Sequence, residues 1–370
     1  MRPSTLLCLL PFAAAVPASK RSELARLIVP RDPSAVHPGR YLVALKDGAQ
    51  DSCSLKSAME LCPDNSTTQV YESLFKGFTA ELDEDSLDKL RAHPAVAFVE
   101  QDQRLPASTL EPLKPANTSD TPHLSRRQHA YFDRYLNNPN AGKGVCGYII
   151  DTGIDASHPD FGGRAQIIAS TVDRTGTDYI GHGTHVAGIF GSNTYGIAKK
   201  ADIFAVKALS ERYHLTPASY IVAGMDFVAQ DAPRRRCPNG VVVNLSLSGS
   251  RSEMWNMAAR KLVERGYFVA VAAGNERRDA RDVSPASEPS VCTVGGQAYG
   301  QSNYGPVVDI WAPAVGIPSL TPGRRWGYMT GTSMAAPYIA GLAAAMASTD
   351  GMRAGPYLCG MIVQMARWRG

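Results

Sequence analysis

The hydrophobic pattern divides the chain into a large C-terminal part, a smaller unit before it and polar stretches around them. From Gly144 onward, short apolar runs at 145–150, 203–207, 241–245, 268–272 and 307–311 alternate with stretches of helical period at 182–190, 219–230, 252–264 and 332–346. Runs of Val, Ile and Ala without polar alternation predict strands buried on both faces. The predicted fold class is α/β, a parallel sheet sandwiched by helices. In such sheets, chemistry gathers at the carboxyl ends of strands and the amino ends of helices.

The smaller unit carries strand patterns at 41–45, 70–75, 77–82 and 96–99 and helix patterns at 52–61 and 83–92. Asp83 is placed to cap the second helix, with Leu87 and Leu90 on one face. The order β-α-β-β-α-β predicts a small α+β, ferredoxin-like domain. Residues 103–128 are rich in Pro, Ser, Thr and Asn without apolar period, a linker composition. At the start, Arg2, an apolar stretch at 6–16 and small residues at 15–18 have the organisation of an export signal, followed by a polar leader to about residue 38. The apolar stretch is too short for a membrane span, and no later run of about 18 apolar residues occurs.

Composition narrows the classes. Lys+Arg 38 against Asp+Glu 34 leaves a net charge of +4, too little to draw a nucleic-acid partner. The arginine clusters at 234–236 and 324–325 are short and suit solvated loops. Cys8 falls within the signal. Cys53, Cys62, Cys146, Cys237, Cys292 and Cys359 lack C-x-x-C spacing, which disfavours a zinc cage and predicts disulfides of open connectivity. The sequons at Asn65 and Asn117 are glycan acceptors where exposed, whereas Asn244 lies in a strand pattern and is expected to stay bare.

Three motifs stand at strand ends or helix starts. Tyr148-Ile149-Ile150-Asp151-Thr152-Gly153 ends a buried strand in a carboxylate; Gly181-His182-Gly183-Thr184-His185 brings a glycine-flanked histidine into a helix; Gly331-Thr332-Ser333-Met334-Ala335 opens an alanine-rich helix with a serine. Nucleophilic hydrolysis needs these residue types. A serine hydroxyl is too weak an acid to attack a peptide carbonyl unless an imidazole takes its proton. The imidazole in turn needs a carboxylate on its other nitrogen. Asn275, just after a buried strand, can donate a side-chain N–H to an oxyanion, and the Ser333 N–H at a helix start can supply a second donor. His185, one turn after His182, is expected to be structural rather than half of a metal pair.

These motifs, in the order Asp, His, Ser with Asn275 between the last two, resemble the subtilisin family, in particular its fungal proteinase K-like branch. The likeness runs from about Tyr131 to Cys359 and includes Gly196-Ile197-Ala198, Ala223-Gly224-Met225-Asp226-Phe227-Val228 and Ser284-Pro285-Ala286-Ser287. Residues 39–100, with His93-Pro94-Ala95-Val96 and Glu100-Gln101-Asp102, are similar to the family's inhibitor-type propeptide.

The resemblance implies a serine endopeptidase with Asp151, His182 and Ser333 as triad and Asn275 in the oxyanion hole. It implies substrate contacts at Leu247, Ser248 and Gly249 and from Gly327 onward, and a pocket lined by Ala272, Ala273 and Gly274 that takes apolar or aromatic side chains. It further implies Cys146–Cys237 and Cys292–Cys359 disulfides, leaving Cys53 and Cys62 to pair. A structural calcium ion (Ca2+) would be held by the Asp309 carboxylate and the carbonyls of Pro289 and Val291, a hard-oxygen set that suits it.

The implied organisation is a signal at 1–18, a propeptide at 19–104 with its inhibitor-like domain at about 39–102, a linker and mature N-terminal region at 105–130, and a catalytic domain at 131–370 that is short at its C-terminus beside the family. Implied partners are protein or peptide substrates and the chain's own propeptide, as inhibitor and folding aid; no nucleic-acid or membrane partner is expected, and the protein is expected to be a monomer. Export would end outside the cell or in a vacuole. Several positions depart from the family: Ser248 replaces a glycine, which would narrow the substrate channel, Ile180 replaces a small polar residue, Tyr338-Ile339 replaces a His-Val pair, and the loop between Val294 and Ser302 is shorter. The alternative is a catalytically impaired or truncated binding protein on the same scaffold. An ester hydrolase of the α/β-hydrolase fold is disfavoured, since Gly-x-Ser-x-Gly and the order Ser, Asp, His are both missing.

Overall fold

The computed structural model describes residues 23–49, 52–106, 132, 134–210 and 215–367. The expected signal, the Asn117 sequon and most of the expected linker lie outside the described residues. The chain forms two compact units, one of residues 1–29 and 38–101, the other of residues 30–37 and 102–370.

The smaller unit contains β1 (Arg26–Ile28), β2 (Val36–Leu45), α1 (Ser52–Met59), β3 (Thr67–Tyr71), β4 (Gly77–Glu81), α2 (Glu84–Ala92) and the first half of β5 (Val96–Pro106). Its strands lie in the order β1-β5-β2-β4-β3. Apart from the added edge strand β1, this is the ferredoxin-like arrangement. Leu55 and Ala58 of α1 and Leu87 and Leu90 of α2 close over Val43, Phe78 and Val99 of the sheet. Asp83 caps α2, its Oδ1 accepting the Ser86 N–H at 2.8 Å, an interaction worth about 1 kcal/mol. β1 lies in the stretch expected to be a polar leader; three residues, all outside the buried class, leave no period to read.

One cysteine expectation fails here. Cys62 is a free thiol, pushed up to about 11 by burial, whereas Cys53 is disulfide-bonded. Cys53 sits in the first turn of α1 and Cys62 beyond its end, so the helix rises about 9 Å from Cys53 to Met59, a separation that a bridge would have to recover by folding the chain back.

The larger unit is built on a seven-stranded sheet: β6 (Cys146–Asp151), β7 (Ala165–Ser170), β8 (Asp202–Lys207), β10 (Val241–Leu245), β12 (Phe268–Ala272), β14 (Cys292–Gln297) and β15 (Ile310–Pro313), ordered β15-β14-β12-β10-β6-β8-β7. Each neighbouring pair is parallel. The chain leaves the central β6 for one edge, returns through β8 and crosses to β10, which creates a crevice at the carboxyl ends of β6 and β10.

Helices cover both faces. α3 (His182–Gly191), α6 (Thr332–Thr349) and α7 (Tyr357–Arg367) share one core with Ile149, Val242 and Ala270. α4 (Ala218–Asp231) and α5 (Glu253–Glu264) lie on the other face, where Gly224 approaches Ile150 and Val206. Trp255 of α5 is 1% exposed. Ser252 caps its backbone N–H at 3.1 Å, and its indole Nε1–H reaches the Ala218 carbonyl at 3.0 Å, joining the starts of the two helices.

Short antiparallel pairs complete the unit. β11 (Gly249–Ser250) pairs with β13 (Val283–Ser284), and β16 (Ile317–Thr321) with β17 (Arg325–Met329). β9 (Leu215–Pro217) pairs with Arg104–Pro106, the second half of β5. The linker expected from residue 103 therefore begins in a strand; its partner lies more than a hundred residues on, out of reach of local composition. Cys146 is bonded to Cys237 and Cys292 to Cys359. Removing either bridge typically costs about 2–5 kcal/mol. Among the described residues no helix is long and apolar enough to cross a membrane.

Candidate active site

Asp151 is the last residue of β6, and its carbonyl accepts the N–H groups of Ala208 and Leu209 just past β8. That bonding fixes the strand end. The carboxylate Oδ1 accepts the Thr152 N–H and lies 2.7 Å from His182 Nδ1, while Oδ2 is buried without a partner. His182 opens α3 behind Gly181, whose φ of 93° suits glycine. Gly183 is required by close approach: a Cβ there would stand 2.0 Å from the Gly153 carbonyl oxygen.

A second buried carboxylate organises this corner. Asp178 Oδ1 accepts from Thr152 Oγ1 and the Gly181 N–H, both at 2.8 Å, and Oδ2 from the N–H and hydroxyl of Thr184, at 2.8 and 2.6 Å. Thr152 Oγ1 also accepts the Gly183 N–H at 2.9 Å. Asp178 thus ties the Asp151 loop to the first turn of α3. Burial raises its pKa against these four bonds. For His182, burial opposes the imidazolium, but the charge and hydrogen bond of Asp151, followed by the charge of Asp178, outweigh it and raise the pKa above 6.5.

Lys207, fully buried and the register partner of Asp151, places Nζ 3.2 Å from Asp173 Oδ2 and beside the Thr177 carbonyl, holding the loop that leads into His182. His185 is buried, its ring facing the backbone of Gly327 and Ile317 without a well-formed hydrogen bond among the described residues. Burial first, and His182 second, push it down to about 3, so it stays neutral.

Ser333 is the second residue of α6. Its hydroxyl donates to the Ser246 carbonyl at 3.2 Å, so the structure does not join it to His182 by a hydrogen bond. Catalytic contacts of this kind often tighten only when substrate is bound. Asn275 follows β12 and is tied to the same helix start. Its Oδ1 accepts both the N–H and the hydroxyl of Thr332, at 2.9 and 2.8 Å. Because a backbone N–H can only donate, this contact fixes the amide orientation and leaves Nδ2–H as the outward donor.

The remaining expected residues fall into separate places. Leu247 and Ser248 follow β10 and are buried, 3% and 4% exposed, and Gly249 pairs with Ser284. Ala272, Ala273 and Gly274 end β12. Beside them is a residue the sequence did not single out, the fully buried Asn303. Its Nδ2 donates to the Ala273 carbonyl at 2.9 Å and to Glu276 Oε2 at 2.6 Å, which holds a carboxylate against Gly274.

Asp309 lies near the start of β14, exchanging two bonds with Thr293 at 2.8 and 3.0 Å. Pro289 and Val291 stand in the turn that enters the same strand. Asp309 is exposed and its Oδ1 takes no donor from the described residues, while partial desolvation raises the carboxyl pKa. An unneutralised carboxylate with a free oxygen is what a hard cation relieves, so these residues fit calcium. The sulfurs of Cys292 and Cys359 come within 4.8 Å of that carboxylate, but their bond to each other removes them as thiolate ligands.

Comparison with known proteins gives one consistent picture. Residues 142–355 match the Subtilase family and residues 40–108 match Peptidase inhibitor I9. The chain is 43% identical over 377 residues to the cuticle-degrading protease of Metarhizium anisopliae, covering 99% of this chain and 95% of that protein. It is 44% identical over 375 residues to Proteinase R of Parengyodontium album, covering 99% and 94%. A cold adapted subtilisin-like serine proteinase of known crystal structure superposes with a TM-score of 0.56 at 35% identity, covering 62% of this chain and 84% of that one.

Proposed function

The chain belongs to the subtilase family of serine endopeptidases, and from that premise we propose that it hydrolyses peptide bonds through Ser333, His182 and Asp151, with Asn275 and the Ser333 N–H receiving the oxyanion. The observation that carries the assignment is the buried 2.7 Å contact from His182 Nδ1 to the carboxylate at the end of β6. It fixes the tautomer so that Nε2 is the free base.

In the reaction, the Ser333 hydroxyl leaves the Ser246 carbonyl and turns to His182. As Oγ bonds to the scissile carbonyl carbon, its proton passes to Nε2, and Asp151 stabilises the imidazolium. The new oxyanion takes the Asn275 Nδ2–H and the Ser333 N–H at the positive end of α6. His182 then protonates the leaving amine, and an acyl-enzyme remains. Water attacks it with His182 again as base, which releases the acid and restores the serine.

Substrate backbone adds as a strand at β9 and beside Ser246, Leu247 and Ser248; the pairing of Arg104–Pro106 with β9 supports this, since an extended segment already uses that edge. The segment matching inhibitor I9 acts as the chain's own inhibitor before self-cleavage. The unit division at residues 101 and 102 supports a propeptide that ends shortly beyond it, and the two disulfides of the larger unit support export to an oxidising compartment. A fluorophosphonate is expected to label the mature protein rapidly at Ser333 alone. Labelling elsewhere, or equal labelling of Ser333→Ala, would reject the assignment.

Asp309, with the carbonyls of Pro289 and Val291, would hold calcium, which supplies charge neutralisation at a loop and no chemical step. At a hundredfold excess over Kd a bound ion stabilises by about 2.7 kcal/mol, or about 5–10 °C in Tm for a unit of this size. Chelation should lower the Tm of the mature enzyme by that amount and leave Asp309→Asn unmoved. An unchanged wild-type Tm would remove the ion, and a persisting shift in the variant would move it elsewhere.

A further inference from the structure

Ser333 is gripped through its backbone as well as its hydroxyl, and the reason lies four residues on. In an α-helix the carbonyl of residue i accepts the N–H of residue i+4. For Ser333 that residue is Pro337, which lies inside α6 and has no N–H. The Ser333 carbonyl therefore lacks the i+4 donor that a regular helix would give it. A buried carbonyl left so would bear the full cost of its lost hydration. Ser246 fills the gap: its Oγ–H donates to the Ser333 carbonyl at 2.8 Å. The same residue's carbonyl accepts the Ser333 hydroxyl at 3.2 Å, so the two serines are joined by a reciprocal pair of bonds.

The Ser246 hydroxyl is itself oriented. Asn244, two residues earlier on β10 and fully buried, donates Nδ2–H to Ser246 Oγ at 2.9 Å. With that lone pair occupied, the Ser246 proton is directed to Ser333. Asn244 sits mid-strand in a fully buried run, a costly place for an amide without a task. Its Oδ1 has no hydrogen-bond partner among the described residues. The residue contributes one directed bond and little else.

We propose that Asn244, Ser246 and Pro337 form a positioning device for the nucleophile. The proline withdraws the helical partner of the Ser333 carbonyl, and the Asn244–Ser246 pair on β10 replaces it, which anchors Ser333 to the strand that flanks the substrate rather than to its own helix alone. None of the three side chains touches the reacting atoms. The device rests on Ser333 being the nucleophile, and the experiment separates the two claims.

The full-length chain is produced as wild type, Ser246→Ala, Ser246→Ala with Pro337→Ala, and Ser333→Ala. Each is matured, and kcat, KM and Tm are measured on a peptide anilide. A misplacement of about 1 Å costs up to about 10²-fold in rate. Ser246→Ala is thus expected to lose about 10–100-fold in kcat, with KM within about twofold and the acid limb of the pH profile unmoved. Adding Pro337→Ala returns an N–H to position 337, gives the Ser333 carbonyl a helical partner, and recovers part of the lost kcat.

A Ser246→Ala enzyme within about twofold of wild-type kcat, or one whose loss Pro337→Ala does not relieve, overturns the device. Should Ser246→Ala fail to accumulate, Asn244→Ala decides: a loss of kcat at constant KM supports the device, and wild-type kcat overturns it. Turnover by Ser333→Ala would bring down the nucleophile and the device together, whereas an inactive Ser333→Ala beside an unimpaired Ser246→Ala brings down the device alone.

Discussion

The full-length chain carrying Ser333→Ala is expected to accumulate uncut. Loss of the nucleophile in a subtilisin removes about 10⁶ in kcat, leaving only what oxyanion stabilisation and binding still contribute. A self-cleavage that takes a minute in the wild type would then take about two years, so gel electrophoresis and intact-mass measurement should find precursor alone. A trace of wild-type enzyme added in trans should cut the variant, which shows that its processing segment is open to the protease. Self-maturation of the variant at the wild-type rate, in a host stripped of other proteases, would place the nucleophile elsewhere. Ser333 begins a helix whose buried face, among Ala335, Ala336 and Ala340, is independent of the hydroxyl. The substitution therefore removes chemistry and leaves packing.

What the sequence makes legible is local, and what it hides is long-range. β10 and β12 lie where uninterrupted runs at 241–245 and 268–272 predict them, because a strand buried on both faces admits few polar residues. β14 escapes the same reasoning. Thr293, Gly295, Gly296 and Gln297 interrupt its apolar run, yet its neighbours β12 and β15 bury it. β7 escapes for the opposite reason, as an edge strand that is largely exposed. The strand expected at 307–311 begins instead at Ile310, since Asp309 is turned to bond Thr293.

The motifs around Asp151, His182 and Ser333 are legible because each packs its requirement into a few consecutive residues: a glycine for close approach, a strand end or a helix start, and one functional group. Partners brought in by the fold have no such signature. The Ser246–Ser333 clasp spans 87 positions. Asn303 reaches Glu276 across 27. Three of the bonds to Asp178 come from nearby Gly181 and Thr184, but the one that ties it to the Asp151 loop comes from Thr152, 26 positions away. Even Pro337, visible as a proline in a helical run, acquires a reason only when β10 is seen beside it.

Asp151→Asn should lose up to about 10⁴-fold in kcat, the scale of removing the triad carboxylate from a subtilisin, and its pH profile tells which part of the carboxylate matters. In trypsin the corresponding exchange acts through the wrong tautomer, since the amide nitrogen faces the imidazole. Here one oxygen, Oδ1, takes both the Thr152 N–H and the His182 contact, while Oδ2 faces nothing. An asparagine can keep its oxygen at Oδ1 and put its nitrogen in the Oδ2 position. The reverse orientation would set two donors against one nitrogen. The expected variant thus preserves the tautomer and loses only the charge. Burial, the first influence on His182, depresses its pKa, and Asp151 is the main group raising it. With the charge gone the pKa falls. The base must be neutral to act, and a lower pKa keeps it neutral to lower pH, so the acid limb of kcat/KM should move in the acid direction as the maximum drops. A maximum reduced with the acid limb unmoved would mean that the charge of Asp151 does not set the His182 pKa, and would overturn this account.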